Sequence, residues 1–215
     1  MRGFSTLKQV TFDNKNITPS KIVCIGRNYV EHIEELNNEV PDEPVVFIKP
    51  NSAISQNIQL LSDEPVHYEA EICFLIKNQQ LAGVGFGLDL TKRELQQKLK
   101  TKGLPWERAK AFDNSAVFSD FLPLEHDIES LSMELFINDT LRQHAPTDLM
   151  MYKPQELLDF VSSFMTLEDG DILMTGTPKG VGKIEPNAQF TGRILVSTST
   201  TESDTLVEKQ WTASL

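Results

Sequence analysis

The chain has 215 residues, of which 40% are hydrophobic and 24% are charged, and this composition is typical of a globular protein rather than of a disordered or fibrous one. It carries 20 Lys and Arg against 31 Asp and Glu, a formal net charge of -11, which makes nucleic acids and anionic membrane surfaces poor candidates as partners. No apolar run reaches the about 18 residues of a membrane span, and two cysteines, too few for a disulfide framework, favour a reducing, cytoplasmic location.

Short apolar and β-branched runs that end at turn residues predict strands along most of the chain. They lie at residues 22–25, 45–48, 67–76, 131–137, 172–175, 193–197 and 205–211. The last two runs flank a polar segment, residues 197–205, and so predict a hairpin. Within residues 67–76 polar and apolar positions alternate, so that Glu69 and Glu71 share one face of the predicted strand.

Helices are fewer in this sequence than strands. Residues 91–100 begin with a capping box, Thr91 and Glu94, which predicts a helix start. Residues 154–165 open with a proline and place apolar residues at helical spacing, and residues 28–38 are a third candidate. The apolar positions of the second helix are Leu157, Leu158, Val161 and Phe164. Because strands dominate without regular strand–helix alternation, we expect a mostly β or α+β fold.

Two glycine-containing segments only partly match nucleotide-binding motifs. Glycines 83, 85 and 87 begin like a dinucleotide fingerprint, but Leu88 stands where its third glycine belongs. Residues 176–183 (GTPKGVGK) are one residue too long for a phosphate loop, and Ile184 replaces the hydroxyl residue that would hold magnesium. Neither segment therefore predicts a nucleotide site.

Three acidic residues are candidates for binding a metal ion. Glu69 and Glu71 lie two apart on a predicted strand, which places their Cα atoms roughly 6.5 Å apart, and their carboxylates repel unless a cation lies between them. Asp89, between two leucines just before a predicted helix, could supply a third oxygen ligand to a hard divalent ion. The alternative is an exposed strand face with two solvated glutamates, and Asp89 in a turn.

A possible acid–base pair lies in the third candidate helix. His32 and Glu35 are three residues apart, so on a helix they share one face and can hydrogen-bond. A carboxylate that orients an imidazole makes a general acid or base near neutral pH. The alternative is a surface pair, because both residues belong to an acidic stretch that has no Lys or Arg between residues 28 and 48.

Four basic residues would favour a small anionic substrate if they lay near such a metal. They are Arg27, Lys49, Arg93 and Lys110. Gln96 shares a helix face with Arg93, three residues away, and the two side chains could bind a carboxylate together. Each basic residue taken alone could equally be a surface charge.

Six segments together resemble the fumarylacetoacetate hydrolase family in their order and spacing, and they span roughly residues 21–195. They are 24–35 (CIGRNYVEHIEE), 46–51 (VFIKPN), 67–72 (HYEAEI), 89–96 (DLTKRELQ), 102–113 (KGLPWERAKAFD) and 168–182 (EDGDILMTGTPKGVG). The KGLPW segment is most similar to the branch of small acylpyruvate hydrolases and oxaloacetate decarboxylases.

The resemblance implies a mixed β-roll, one catalytic domain over residues 1–215, and a site that uses Mg²⁺ or Mn²⁺. The matching positions are Glu69, Glu71 and Asp89 as metal ligands, His32 and Glu35 as a pair that activates water on a lid helix, Lys110 as a stabiliser of negative charge, and Arg27, Lys49, Arg93, Gln96 and Thr177 as residues lining the substrate pocket. Relatives in this family are usually homodimers, so we expect a homodimer here.

For function, the resemblance implies hydrolysis of a C–C bond in a 3-acylpyruvate, a small anionic 2-oxo acid. Water activated by the His–Glu pair would attack, and the metal and Lys110 would stabilise the enolate that leaves. The alternative is an isomerase or decarboxylase of a related 2-oxo acid, such as a hydroxymuconate-type isomerase, an oxaloacetate decarboxylase or a tautomerase. A non-catalytic binding protein of the same fold would be expected to lack a ligand, and none is missing.

One segment departs from the family branch. Between Ile76 and Asp89 the chain has only twelve residues, fewer than the branch usually carries. We expect that a surface crossover is shortened there and that both ends, which bear the predicted metal ligands, are kept.

Overall fold

The computed structural model describes residues 7–35, 39–60, 64–199 and 202–214. In this part of the chain the strands are β1 (Val10–Phe12), β2 (Lys15–Ile17), β3 (Lys21–Gly26), β4 (Val45–Pro50), β5 (Ile54–Ser55), β6 (His67–Tyr68), β7 (Ala70–Lys77), β8 (Gln80–Asp89), β9 (Ala116–Phe118), β10 (Leu122–Pro123), β11 (Leu131–Ile137), β12 (Thr140–Pro146), β13 (Ile172–Met174), β14 (Gly182–Lys183), β15 (Gln189–Ser197) and β16 (Ser203–Thr212). The α-helices are α1 (Val30–Glu35), α2 (Arg93–Thr101), α3 (Glu107–Lys110) and α4 (Pro154–Ser162), and 3₁₀ helices cover Asn51–Ala53, Ile128–Ser130 and Thr147–Leu149. None of these described helices has the length and apolarity needed to cross a membrane.

The strands form two large sheets. The larger sheet has the order β4-β3-β13-β7-β8-β9-β5, with β10 paired to β8 as an eighth strand, and the smaller sheet has the order β12-β11-β15-β16. The larger sheet is mixed, because β13 runs parallel to β3 but antiparallel to β7. Two short pairs, β1 with β2 and β6 with β14, complete the strand pairing of the described residues. The mostly β fold expected from the sequence is confirmed.

The larger sheet curls around one of its own faces. Ile22 and Cys24 of β3 belong to the same buried cluster as Ile54 of β5 and Ala116 of β9, although β3 lies several strands away from both in the sheet order. The cluster also includes Met174 of β13 and Leu75 of β7, so this face of the sheet forms one continuous core around which the sheet curls. The β-roll implied by the family resemblance is therefore present, and its interior leads to the predicted site.

The opposite face of the roll packs against the smaller sheet. Phe74 of β7 and Phe86 of β8 share a cluster with Leu135, Ile194 and Trp211 of the smaller sheet. The ring of Phe86 lies with its centroid 5.9 Å from that of Trp211. Strand β7 is thus covered on both faces, which explains why its sequence is an almost continuous apolar run in which Glu71 stands out.

Helix α4 covers the outer side of β3 and β13. Its buried residues pack against Val23 and Leu173, and they include three of the four apolar positions predicted from the sequence, Leu157, Leu158 and Val161. The prediction for Phe164 is wrong: the helix ends at Ser162, and the Phe164 side chain is exposed. Its ring packs beside the ring of Phe160, with the two centroids 5.7 Å apart, and not against the core.

Helix α2 begins at Arg93 rather than at Thr91, and the capping box predicted there is wrong. The residue at the N-cap, Lys92, makes no side-chain capping bond. The hydroxyl of Thr91 donates to the carbonyl of Asp89 at 3.3 Å and accepts from the ammonium of Lys110 at 2.7 Å. The polar side chain that resembles a cap in the sequence therefore belongs to the site.

The shortened segment between Ile76 and Asp89 is a tight hairpin. Strands β7 and β8 are joined by Asn78 and Gln79, which both have positive φ, 51° and 60°. Two consecutive residues in this conformation form the turn that matches the twist of antiparallel strands. The hairpin connects its strands directly, so Glu71 and Asp89 remain at its open end, as expected.

Asp171 fastens β13 to the segment that enters β3. Its Oδ1 atom accepts hydrogen bonds from the Ser20 amide (3.0 Å), the Ser20 hydroxyl (2.7 Å) and the Lys21 amide (3.1 Å), and its Oδ2 accepts from the Glu168 amide (2.9 Å) and the Lys21 ammonium. Burial raises the pKa of this carboxyl, but the hydrogen bonds from Lys21, Glu168 and Ser20 outweigh it and lower the pKa below its usual range.

We expect Asp171→Asn to lower the free energy of unfolding by about 3 kcal/mol at pH 7, because the amide cannot accept all these hydrogen bonds. The folded-state pKa lies below the about 3.9 of an unfolded aspartate, so this stabilisation is complete at neutral pH and is lost as the pH falls through the folded-state value. Urea unfolding at several pH values measures it.

The control is Asp204→Asn at an exposed strand end, where the free energy of unfolding should change by no more than about 0.5 kcal/mol. Equal stability of Asp171→Asn and the parent at pH 7, or a difference that persists undiminished in strong acid, would contradict the role given to Asp171.

Candidate active site

Three carboxylates meet where β7 begins and β8 ends. The two strands are antiparallel, so Glu69, just before β7, and Glu71, the second residue of β7, lie beside Asp89, the last residue of β8. The Asp89 amide donates to the Glu69 carbonyl at 2.8 Å. One oxygen from each carboxylate lies within 4.8 Å of the others. The residues are only 5%, 1% and 1% exposed, respectively, which excludes the alternative of a solvated strand face.

The ammonium of Lys110 bridges two of these carboxylates. Lys110 ends α3, and its Nζ donates to Glu69 Oε2 at 2.8 Å, to Asp89 Oδ2 at 2.6 Å and to the Thr91 hydroxyl at 2.7 Å. The ring of Phe47 lies beneath the charge, with its centroid 5.0 Å from Nζ. All three N–H donors are therefore directed at the site.

A second buried lysine lies behind Asp89. Lys49 faces the interior of the roll from β4, and its Nζ lies 2.8 Å from Asp89 Oδ1. Its N–H groups bond instead to the carbonyls of Leu90 and Lys110 and to the hydroxyl of Ser115. An ammonium has three donors, so Asp89 Oδ1 is left as a buried oxygen with a charge beside it but no hydrogen bond from any described residue.

The surroundings shift the pKa values of Glu69 and Glu71 in opposite directions. Burial raises the pKa of Glu69, but the nearby Lys110 and Arg93 more than offset it and lower this pKa. Burial and the neighbouring charges of Asp89 and Glu69 raise the pKa of Glu71 well above its ordinary value, although the Gly176 amide donates to it at 2.7 Å. The surrounding cations thus stabilise Glu69 as an anion. At Glu71 the hydrogen bond from Gly176 does not offset burial and the repulsion from the other two carboxylates.

These features fit a hard divalent cation. The donors are all carboxylate oxygens, which Mg²⁺ and Mn²⁺ prefer to nitrogen or sulfur. Asp89 Oδ1 accepts no hydrogen bond from the described residues, and burial together with repulsion from the other carboxylates raises the pKa of Glu71, so both groups would gain from a cation. The acidic cluster can therefore hold a divalent metal ion through Glu69, Glu71 and Asp89.

His32 and Glu35 form the pair that their spacing predicts. Helix α1 places His32 Nδ1 3.1 Å from Glu35 Oε2, and the other oxygen of Glu35 accepts from the Gly180 amide at 3.0 Å. His32 is 6% exposed, whereas the side chain of Glu35 is 33% exposed, so the imidazole is buried and its carboxylate partner lies at the surface. Gly180 has a φ of +97°, and a Cβ there would collide with the carbonyl oxygen of Arg142, so this contact requires glycine.

A small cavity of about 40 Å³ opens beside this cluster. Seven predicted site residues line it: Arg27, His32, Glu69, Arg93, Gln96, Lys110 and Thr177. Arg93 contacts the carboxylate of Glu69 and donates to Gln96 Oε1 at 2.8 Å. The four predicted residues that do not line the cavity are packed around those that do: Glu35 on His32, Glu71 and Asp89 in the carboxylate cluster, and Lys49 behind Asp89.

Some residues at the cavity are absent from the sequence predictions. Lys100, Phe47 and Trp106 also line it. Lys100 lies one helical turn beyond Gln96 and two beyond Arg93, so helical spacing could have identified it. The two aromatic side chains, whose ring centroids lie 6.2 Å apart, come from different segments, and no spacing in the sequence connects them.

Gln143 is a further residue that the sequence analysis missed. It is 1% exposed on β12 of the smaller sheet, and its Nε2 donates to the Thr177 hydroxyl and the Pro178 carbonyl, both at 2.9 Å. Its Oε1 accepts from the amide of Ala70, the residue between the two glutamates, at 3.1 Å. One amide side chain therefore joins the loop that carries Thr177 to the strand that carries the carboxylates.

Sequence comparison also relates this chain to a known family of enzymes. Residues 21–207 match the family model described as fumarylacetoacetate (FAA) hydrolase, C-terminal. Oxaloacetate tautomerase YcgM of Escherichia coli K12 is 40% identical over 190 residues, covering 80% of this chain and 87% of that protein. The mitochondrial oxaloacetate tautomerase FAHD1 of Bos taurus is 37% identical over 186 residues, covering 79% and 84%.

Solved structures share the fold over nearly the whole chain. A crystal structure from Oleispira antarctica superposes with a TM-score of 0.88 at 31% identity and covers 96% of this chain and 99% of its own. The structure of fumarylpyruvate hydrolase from Pseudomonas aeruginosa in complex with Mn²⁺ and pyruvate gives a TM-score of 0.82 at 28% identity and covers 90% and 94%.

We expect the protein to bind one Mn²⁺ per chain and Glu71→Gln to weaken this affinity at least about tenfold, because it removes one anionic ligand. The parent affinity should also fall as the pH falls, since the raised pKa of Glu71 means that the metal must displace a proton. Isothermal titration calorimetry measures both effects, with the exposed Glu185→Gln as control. Unchanged Mn²⁺ affinity in Glu71→Gln would exclude this carboxylate as a ligand.

We expect Gln143→Leu to lower the free energy of unfolding by about 1–3 kcal/mol, because it leaves the buried Ala70 amide without its acceptor. Chemical denaturation measures the loss, and Gln97→Leu on the exposed side of α2 is the matched control. If both variants were equally stable, the Gln143 bonds would not contribute to holding the loop on the strand.

Proposed function

The chain belongs to the fumarylacetoacetate hydrolase family, and we propose that it catalyses the interconversion of the keto and enol forms of oxaloacetate. The observation that carries this proposal is the 40% identity, over 80% of the chain, to a protein named oxaloacetate tautomerase. The relatives' names favour this alternative over hydrolysis of a 3-acylpyruvate, the main expectation from the sequence.

Tautomerisation moves one proton between C3 of the substrate and the oxygen on C2, so it needs an acid–base group and no attacking water. His32 lines the cavity and can serve as that group. Its Nδ1 faces Glu35, which favours the proton on Nδ1 and leaves Nε2 to accept or release the transferred proton. Glu35 is in turn oriented by the Gly180 amide, so the imidazole is positioned before substrate binds.

The basic residues around the cavity would hold the substrate and its developing charge. Arg93 and Gln96, bonded to each other on α2, present a guanidinium and an amide to a carboxylate. Lys110 adds a buried positive charge at the same wall, which favours the enolate over the neutral ketone. A divalent ion held by the three carboxylates would supply Lewis-acid polarisation of the substrate carbonyl.

Hydrolysis of a C–C bond in a 3-acylpyruvate is the second candidate, and two observations favour it. The His32–Glu35 pair is of the kind that activates water, and the fold neighbour that holds Mn²⁺ and pyruvate is named fumarylpyruvate hydrolase. Decarboxylation of oxaloacetate would use the same cavity without an attacking water. Assays of enol-oxaloacetate, keto-oxaloacetate and acetylpyruvate on one preparation distinguish the three reactions.

Two further expectations from the sequence stay predictions. A homodimer is expected because relatives of this family usually form one, and its mass in solution can be measured by light scattering. A cytoplasmic location is expected from the two free cysteines, both of which are buried within the roll.

We expect the Mn²⁺-loaded protein to convert enol- to keto-oxaloacetate well above the uncatalysed rate, and His32→Gln to lower kcat by about 10²–10⁴-fold, because it removes the acid–base group. Loss of the enol absorbance measures the rate, and acetylpyruvate cleavage is followed in parallel.

Glu31→Gln is the control on the same helix, since Glu31 is exposed and pairs with Lys179 at the surface. Full tautomerase activity in His32→Gln would remove His32 from the mechanism. Cleavage of acetylpyruvate with no tautomerase activity would replace the proposed reaction with the second candidate.

A further inference from the structure

The loop that follows β13 contacts both the carboxylate cluster and the acid–base pair. Near its start the Gly176 amide donates to Glu71 Oε2 at 2.7 Å, and near its end the Gly180 amide donates to Glu35 Oε1 at 3.0 Å. No backbone–backbone hydrogen bond joins residues 176–180 to any other described residue. Side chains therefore determine where this stretch of the loop lies.

The start and the middle of the loop are held by different side chains. At the start, the carbonyl of Thr175 accepts a hydrogen bond from Nδ2 of Asn28 at 2.8 Å. In the middle, Nε2 of Gln143 donates to the hydroxyl of Thr177 and to the carbonyl of Pro178, both at 2.9 Å. Loss of the Gln143 bonds would therefore release the middle of the loop while its start stays fixed.

The Gly180 end of the loop packs directly on the strand that carries Gln143. A Cβ atom on Gly180 would lie 3.2 Å from Cγ of Gln143, and the carbonyl of the preceding residue, Lys179, lies 3.4 Å from Nε2 of the same side chain. Gln143 is 1% exposed, so water does not compete for these contacts. The position of the Gly180 amide thus depends on this side chain.

Two other contacts that join the loop to its surroundings are weaker or more distant restraints. The Lys179 ammonium lies 3.1 Å from the Glu31 carboxylate of α1, but these side chains are 62% and 59% exposed, and an ion pair in water contributes little. The Thr177 hydroxyl donates to the carbonyl of Ala70 at 2.8 Å, which fixes this residue but not the three that follow it. Neither contact replaces the buried hydrogen bonds of Gln143.

We propose that Gln143 is a positioning residue for the acid–base pair: it fixes the loop so that the Gly180 amide holds Glu35, which in turn orients His32 at the cavity. The effect on turnover rests on the proposed function, because it assumes that His32 transfers the substrate proton. The carboxylate cluster should change much less, since the pairing of β7 with β8 and the hydrogen bond from Gly176 remain.

Amide exchange tests this positioning without an assay of the reaction. Gln143→Met keeps the length of the side chain but removes its hydrogen bonds, so the Gly180 amide should exchange with solvent at least about tenfold faster than in the parent, because the loop opens locally. NMR follows the exchange residue by residue. Exchange of Gly180 at the parent rate in Gln143→Met overturns the proposal.

The matched control is Thr147→Val, which removes two hydrogen bonds of another buried side chain. The Thr147 hydroxyl donates to the carbonyls of Ile128 at 2.8 Å and Leu131 at 3.2 Å, away from the loop. This variant should leave the exchange of Gly180 within about twofold of the parent. Equal acceleration in both variants would mean that Gly180 responds to general loss of stability, and this also overturns the proposal.

Kinetics test whether Gln143 acts through Glu35. At saturating Mn²⁺, Gln143→Met should lower kcat for enol-oxaloacetate about tenfold and leave KM within about threefold, because the acid–base pair is misplaced while the cavity wall on α2 is kept. Added to Glu35→Ala, it should lower kcat by no more than about twofold further, because the residue through which it acts is already absent.

Two kinetic outcomes overturn the role of Gln143. One is an unchanged kcat in Gln143→Met, and the other is a further tenfold loss when this change is added to Glu35→Ala. Calorimetric Mn²⁺ affinity of Gln143→Met should stay within about threefold of the parent. A larger loss assigns the effect to the carboxylate cluster and likewise overturns the proposal.

This proposal and the proposed function fail in different ways. If the parent does not tautomerise enol-oxaloacetate but exchange of Gly180 rises in Gln143→Met alone, the positioning stands and the proposed reaction is wrong. If the parent tautomerises it and Gln143→Met matches Thr147→Val in both Gly180 exchange and kcat, the reaction stands and the positioning role is wrong.

Discussion

Burial of three carboxyl groups at one end of a curled sheet is the constraint on which the rest of this structure depends. Glu69, Glu71 and Asp89 are almost completely removed from water, and unpaired carboxylates in such a place would cost several kcal/mol each. The antiparallel pairing of β7 and β8 forces them together, because one strand begins where the other ends. Each neighbouring helix, strand or loop therefore contributes a positive charge or a hydrogen-bond donor to the three carboxyl groups.

Compensation comes from segments distant in sequence. Lys110 arrives from α3, Lys49 from β4 and Arg93 from α2, while the loop after β13 contributes the amide of Gly176. The compensation is incomplete at Glu71, and Asp89 Oδ1 has the charge of Lys49 beside it but no hydrogen bond from the described residues. A divalent cation would be most stabilising at these two groups. The same arrangement places the positive charges of Arg93 and Lys110 along the cavity wall.

The sequence predicts the parts of this arrangement that depend on local spacing. The i, i+2 glutamates, the His32–Glu35 pair and most strands follow from periodicity, and the family resemblance connects them into one site. Thr91 resembles a helix cap because a hydroxyl before a helix looks the same whether it bonds an amide or Lys110. Gln143 could not be found in this way, because its partners lie on another sheet and a distant loop, and only the folded chain brings them within hydrogen-bond distance.

The most direct test of the account is the anomalous scattering of Mn²⁺ in crystals of the protein grown with that ion. The account predicts one strong peak within about 2.0–2.6 Å of an oxygen from each of Glu69, Glu71 and Asp89, with the ammonium of Lys110 still beside the cluster. A cluster without a peak at saturating Mn²⁺, or a peak bound by other side chains, would contradict it.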